Sequence, residues 1–146
     1  LERAKNHSVE SIIHSKDDLN NGSLRDMMKS KEIDLIVLAG YLKKIPDNLI
    51  EAYPNKIVNI HPALLPKFGG KGMYGMNVHK AVVEAGETES GPTIHYVNEN
   101  YDEGAIIAQY KVSLHPSDSA EEVAAKVLKL EHQHFAQQIE QLIQNF

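Results

Sequence analysis

The chain has 146 residues, of which 42% are hydrophobic and 24% charged, with a formal net charge of −5 and neither cysteine nor tryptophan. This length and composition fit one domain with a hydrophobic core, and the missing cysteines exclude disulfides, thiolate metal ligands and cysteine nucleophiles. The negative charge argues against a nucleic-acid partner. No apolar run approaches the ~20 residues that span a bilayer, so we expect no membrane partner and a cytoplasmic location.

The first residues predict helix, strand and helix in that order. Leu1 to Lys5 has the composition of a last helical turn and does not begin with methionine, from which we expect that the start of the protein is missing. The β-branched run Val9 to His14 predicts a strand. Ser23 predicts the N-cap of a helix with Leu24 and Met27 on its apolar face.

Two apolar runs then predict a pair of parallel strands. Leu35 to Ala39 is apolar without alternation, which is typical of a strand buried on both faces. A helix beginning near Pro46 separates it from the next strand, Lys56 to Ile60. Strands joined through a helix pair in parallel, so we expect these two to be neighbours. Asn59 and His61 lie two residues apart at the strand end and therefore project to one side.

Turn residues divide the remainder of the chain. Prolines and glycines between Pro62 and Tyr74 predict a loop at the carboxyl end of a strand, where open α/β sheets bind ligands. The pattern then predicts a helix from Met76 to Ala85, strands over Gly91 to Asn98 and Ala105 to Leu114, and a long helix capped by Ser119 and Glu122. The whole predicts an α/β fold with a Rossmann-like, mostly parallel sheet and flanking helices.

The Asn59 and His61 pair has the chemistry to act on a carbonyl group. An amide and an imidazole that project together can donate hydrogen bonds to an oxygen that becomes negative, and the imidazole can protonate a leaving amine. The spacing alone somewhat favours the alternative, in which Asn59 bonds to loop backbone and His61 is a buried, structural residue. The rigid loop that follows favours a site.

Asp102 lies in a turn between the last two predicted strands and can stabilise a protonated histidine if the two lie within ~4–6 Å. A turn aspartate also commonly bonds its own backbone, and the sequence leaves both interpretations open.

The other candidate residues carry weaker signals. His132 and His134 are two residues apart on a predicted helix, where their rings diverge, so we expect no metal site. His95 is interpreted as structural, although it could face the same cleft as Asp102. Lys43 and Lys44 could hold anionic ligand groups or simply be solvated.

Four segments resemble a known family. The chain is similar to the formyltetrahydrofolate-dependent formyltransferases in the segment Asn59-Ile-His-Pro-Ala-Leu-Leu-Pro66. The similarity extends to Leu35 to Leu42 upstream and to Gly91 to Val97 and Tyr101 to Ile107 downstream. Within that superfamily the flanking segments resemble the phosphoribosylglycinamide formyltransferase family. The resemblance covers nearly the whole chain, which we therefore expect to be a single catalytic domain, residues 1–146.

The resemblance implies transfer of a formyl group from 10-formyltetrahydrofolate to the amine of glycinamide ribonucleotide, in purine biosynthesis, without a metal. By resemblance, Asn59 and His61 stabilise the tetrahedral oxyanion, His61 donates a proton, and Asp102 favours the protonated histidine and relays protons through water. The partners implied are these two small molecules, and the sequence leaves open whether the protein forms a homodimer.

The resemblance also implies binding residues. The positions that hold the folate pterin in the family match Leu42, Lys43, Lys44 and Ile45. A basic position that contacts the folate matches Lys16. A carboxylate that binds ribose hydroxyls matches Glu131. The family often has arginine where Lys43 stands. Its strand and Gly-Ser-Asn loop, which bind the substrate phosphate, have no counterpart in this sequence, so we expect an N-terminally truncated domain.

Three alternative functions remain within or beside this family. Formyltetrahydrofolate deformylase, a hydrolase, typically has a second histidine where Pro62 stands, and methionyl-tRNA formyltransferase has an additional RNA-binding domain. A folate-binding fragment without turnover is the non-enzymatic alternative.

Overall fold

Residues 1–33 and residues 34–146 form two structural units in the computed structural model, which describes all 146 residues. The first unit contains three helices and no strand. They are α1 (Glu2–Asn6), α2 (Lys16–Asn20) and α3 (Ser23–Ser30).

Two predictions for the first unit are wrong. Val9 to His14 is not a strand, and Val9, Ile12 and Ile13 are 60%, 48% and 80% exposed. A strand requires a neighbour for its backbone groups, and this unit offers none. Ser23 is the first residue of α3 and not its cap, because Gly22 occupies the N-cap position and the Ser23 hydroxyl bonds to Asn21 Oδ1.

The second unit alternates strands and helices. In chain order it contains β1 (Ile36–Leu38), α4 (Asp47–Ala52), β2 (Ile57–His61), α5 (Met76–Glu84), β3 (Glu89–Ser90), β4 (Thr93–Tyr96), β5 (Ile106–Gln109), β6 (Val112–Ser113) and α6 (Ala120–Gln144). The predicted strand from Ala105 to Leu114 is therefore divided into β5 and β6, and β6 pairs with the short β3 in a separate two-stranded sheet.

The main sheet has the order β1-β2-β4-β5. The predicted parallel pairing of β1 with β2 is confirmed, with Val37 opposite Val58. The other two pairings, β2 with β4 and β4 with β5, run antiparallel. No helix lies between β4 and β5, and a connection without a crossover element returns the chain antiparallel to itself. The α/β class with flanking helices is confirmed, and the described sheet is mixed.

The burial of β1 differs from the sequence prediction. β1 is not buried on both faces, since Val37 is 39% exposed. The reason is its position at the edge of the sheet, with β2 as its only neighbour. In β2, by contrast, Ile57 and Val58 are at most 1% exposed.

Helix α6 packs against α5 and closes a small apolar core. The predicted capping box is present, with Ser119 Oγ accepting from the Glu122 amide and the Glu122 carboxylate accepting from the Ser119 amide. Val82 of α5 packs against Val123 and Val127 of α6, and the Phe68 side chain lies against this cluster. None of the helices is apolar over a length that would cross a bilayer.

Candidate active site

Strand β2 ends on the two residues that the sequence singled out. Asn59 is half-buried and His61 is 4% exposed, and both side chains line one cavity as the two-residue spacing predicts. Pro62 and the loop after it leave the sheet at this point, so the cavity lies at the carboxyl end of the strand.

Asp102 reaches the same cavity from the loop between β4 and β5. Its backbone is left-handed, with φ of 56°, a conformation that aspartate tolerates better than most residues. Gly104 holds the loop close to β4, because a Cβ at this position would lie 1.6 Å from the Tyr96 carbonyl oxygen. The loop is thereby fixed against the strand that faces Asn59.

The His61 ring lies between a carbonyl and a carboxylate. His61 Nε2–H donates to the Phe68 carbonyl oxygen at 2.7 Å, and Nδ1 lies 3.6 Å from Asp102 Oδ2. The second distance is within ion-pair range but too long for a direct hydrogen bond. Asp102 Oδ2 also accepts a hydrogen bond of 2.8 Å from the Gly70 amide. A water that lies beside the pair, and not on the line between Nδ1 and Oδ2, can bond to both groups.

His95 belongs to this cluster, which the sequence did not establish. It lies directly opposite Asn59 in the antiparallel register of β2 and β4, so the two side chains share a face. His95 Nδ1–H donates to the Tyr96 carbonyl oxygen at 2.9 Å, and Nε2 accepts from the Asn59 amide group at 3.2 Å. Nε2 also lies 3.6 Å from Asp102 Oδ1.

Burial favours the neutral form of the His95 ring. It lowers the pKa of His95 below the usual histidine range, and the nearby His61 adds to this effect, while the Tyr96 carbonyl and Asp102 partly oppose it. A neutral ring with its proton on Nδ1 leaves Nε2 as an acceptor. Asn59 therefore directs one N–H to His95 and keeps the other for a ligand in the cavity.

A third histidine, His79 of α5, also lines the cavity and is 6% exposed. Burial lowers its pKa, and His61 lowers it further. Its Nδ1 atom is buried without a hydrogen-bond partner. The periodicity of α5 does not distinguish this position from an apolar one, so sequence reasoning had no signal for it.

We expect the free energy of unfolding to decrease as the pH falls below the ordinary histidine pKa of about 6.5. Because the pKa values of His79 and His95 are lowered in the folded state, the unfolded chain binds protons that the folded chain does not. The contribution of these two histidines to the free energy of unfolding is then fully present above this pH and is lost on acidification. Urea unfolding at a series of pH values measures the slope.

His79→Gln should make this slope shallower, by at most about 1.4 kcal/mol per pH unit, the value for one proton. The matched control is His7→Gln, since His7 is exposed. Equal slopes for wild type and His79→Gln would contradict the assignment of the pH dependence to this buried ring.

The cavity has a volume of about 540 Å³ and is open to solvent on one side. Leu42, Lys43, Lys44 and Ile45 line it, as does Glu131 of α6. Burial raises the pKa of Glu131, and the nearby His132 partly offsets this increase.

Lys16 lies in the other structural unit, where it is the exposed first residue of α2, and its folate-binding role stays a prediction. No group of three histidine, aspartate or glutamate side chains is arranged to hold a metal ion.

An α/β sheet that ends in an amide, two histidines and a carboxylate around one cavity defines a protein equipped for hydrogen bonding and proton transfer to a bound small molecule. Residues 3–139 match the family described as formyl transferase, and the chain belongs to this family.

Curated relatives agree with this assignment. The chain is 52% identical over 121 residues to the chloroplastic phosphoribosylglycinamide formyltransferase of Arabidopsis thaliana, covering 83% of this chain and 41% of that protein. It is 39% identical over 138 residues to phosphoribosylglycinamide formyltransferase of Haemophilus influenzae, covering 91% and 63%. The chain thus spans about half the length of the curated relatives it matches.

Solved structures show the same fold. Phosphoribosylglycinamide formyltransferase from Anaplasma phagocytophilum superposes with a TM-score of 0.87 at 28% identity, covering 99% of this chain and 66% of that one. Glycinamide ribonucleotide transformylase 1 from Geobacillus kaustophilus gives a TM-score of 0.85 at 35% identity, covering 97% and 75%. The predicted family is confirmed.

Proposed function

We propose that this chain carries the catalytic groups for transfer of a formyl group from 10-formyltetrahydrofolate to the amine of glycinamide ribonucleotide. The observation that carries the proposal is the convergence of Asn59, His61 and Asp102 on one cavity, in a chain of the formyl transferase family. The names of the relatives at 39% and 52% identity support the choice of substrate.

The cavity walls fit a folate and an anionic substrate. Its volume is in the range of small-molecule sites, and the segment Leu42 to Ile45 offers both apolar side chains and main-chain polar groups to a flat heterocycle. Lys43, Lys44 and Lys71 line the cavity, and none of them is paired with a carboxylate, so they are free to attract anionic groups. Glu131 can accept hydrogen bonds from sugar hydroxyls.

Bond formation begins when the substrate amine attacks the formyl carbon. The carbonyl π electrons move to oxygen, and the resulting oxyanion needs donors already in place. Asn59 supplies the N–H that His95 leaves free, and protonated His61 supplies a positive charge beside it. Collapse of the intermediate then breaks the bond between the formyl carbon and the folate nitrogen.

One proton must move from the attacking amine to the departing folate nitrogen. Asp102 can accept the amine proton through a water that lies beside the pair and bonds to both Asp102 Oδ2 and His61 Nδ1. His61 Nδ1–H can donate the proton that the folate nitrogen takes. The products are then the N-formylated amine and tetrahydrofolate. Asp102 now carries the proton taken from the amine and His61 has given one up, so transfer of that proton from Asp102 to His61 Nδ1 restores both charges on the protein.

The test is a transfer assay on the protein as its gene encodes it, with both substrates, followed by mass spectrometry of the nucleotide product. The proposal requires a formyl group on the glycinamide amine. Release of formate from 10-formyltetrahydrofolate without an amine acceptor would instead support a deformylase, and absence of both products would support a folate-binding role.

A cytoplasmic location stays a prediction, which microscopy of the tagged protein addresses.

A further inference from the structure

The segment Phe68 to Gly70 contacts both members of the His61 and Asp102 pair through its main chain. The Phe68 carbonyl oxygen accepts from His61 Nε2–H at 2.7 Å. The Gly70 amide donates to Asp102 Oδ2 at 2.8 Å. The main-chain groups of Phe68 and Gly70 therefore hold the two side chains, and the separation of His61 from Asp102 determines whether a proton can pass between them directly or through one water.

Phe68 is held in an unusual backbone conformation. Its φ is 54°, in the left-handed region that a residue with a side chain adopts only at an energetic cost. Its ring packs against the core cluster of Val82, Val123 and Val127. The packing fixes the residue from one side and the strained backbone turns its carbonyl toward His61 on the other.

Gly69 allows this segment to approach Asp102. A Cβ at this position would lie 2.6 Å from Leu65 Cδ2 and 3.2 Å from Asp102 Cβ. The φ of Gly69 is not in the left-handed region, so the requirement for glycine here arises from contact with these neighbours and not from the backbone angle.

We propose that Phe68 is a positioning residue and that segment 68–70 sets the geometry of the proton-transfer pair. A hydrogen bond at one ring nitrogen of a histidine determines where the proton of the neutral ring resides. By accepting from Nε2–H, the Phe68 carbonyl places the proton on Nε2 and turns Nδ1 toward Asp102. The Gly70 amide holds the carboxylate in place across the 3.6 Å gap. The consequence for catalysis rests on the proposed function.

The tautomer of His61 can be measured without any substrate. Spectra of the protein labelled with 15N-histidine, recorded at a pH where the ring is neutral and assigned with His61→Gln, should show the Nε2–H form in the wild type. Gly69→Ala should convert this signal into a mixture of both tautomers, because the new methyl group displaces the segment from Asp102. Gly86→Ala is the control, since a Cβ at this position would meet nothing within 4 Å. The φ of Gly86 is 66°, so its backbone is more strained by alanine than that of Gly69, and the control therefore separates backbone strain from contact with Asp102.

The kinetic readout separates positioning from binding. Gly69→Ala should lower kcat by about 10- to 100-fold, with KM for 10-formyltetrahydrofolate changed less than about threefold, since a small misplacement of catalytic groups costs rate before affinity. Phe68→Ala should have the same effect. Phe68→Leu, which retains an apolar anchor on the core, should restore both the tautomer and most of the rate, and it keeps the test valid if Phe68→Ala does not fold.

The two proposals fail in different ways. Wild type that shows the Nε2–H tautomer but transfers no formyl group would overturn the proposed function and leave the positioning intact. Wild type that transfers formyl, together with Gly69→Ala that keeps both the tautomer and kcat, would overturn the positioning role. A loss of kcat in Gly69→Ala with an unchanged tautomer would also overturn it.

Discussion

Asp102→Asn should lower kcat for formyl transfer by about 10²- to 10⁴-fold, the usual range for loss of a proton-transfer group. The substitution removes the negative charge that faces His61 Nδ1 and His95 Nε2, both at 3.6 Å. The protonated form of His61 then loses its carboxylate partner, and the amine proton loses its acceptor. Steady-state kinetics with both substrates measures the effect.

The fold and the folate site should survive this change. Asparagine has the shape of aspartate, and its Oδ1 can still accept from the Gly70 amide. We therefore expect KM for 10-formyltetrahydrofolate to change less than about threefold, since the loss falls on the transition state. Asp47→Asn is the matched control, because Asp47 is exposed at the start of α4 and does not line the cavity. Near wild-type kcat in Asp102→Asn would contradict the role given to the carboxylate.

The sequence predicted those parts of the fold that depend on local signals. The capping box at Ser119 and the glycine after α5 each act over a few residues, and both mark helix ends in the structure. The Val9 to His14 segment shows the limit of such signals, since β-branched residues favour a strand only where another strand is available to pair. The division of the last predicted strand also depends on its partners, β4 and β3.

The candidate site was predictable to the extent that it depends on spacing within one strand. Asn59 and His61 share a face because β2 has a period of two, whatever its neighbours are. The inclusion of His95 depends on the antiparallel register that places it opposite Asn59, and register is a property of two strands. Phe68 and Gly70 contact the site through main-chain atoms, which every residue has, so the sequence contains no signal for them.

Thr93 illustrates a buried hydrogen-bond network that fixes the loop following His61. It is fully buried, and its hydroxyl donates to the Ala63 carbonyl oxygen at 2.6 Å and accepts from the Leu65 amide at 3.0 Å. Gln109 Nε2 adds hydrogen bonds to the Thr93 hydroxyl and to the Leu65 carbonyl oxygen. One hydroxyl thus connects β4 to the segment that begins two residues after His61.

Thr93→Val should lower the free energy of unfolding by about 2–4 kcal/mol, because valine has nearly the same shape but leaves the Leu65 amide and the Ala63 carbonyl buried without this partner. Thr93→Ser is the matched control, since it keeps the hydroxyl and loses only a buried methyl group, at a cost of about 1 kcal/mol. Urea unfolding of the three proteins, compared at equal m-values, gives the two differences. The order of the two destabilisations matters more than either value. If burial of the methyl group were the main contribution of Thr93, Thr93→Ser would destabilise the protein more than Thr93→Val. That result would show that the hydroxyl network does not hold the loop against β4.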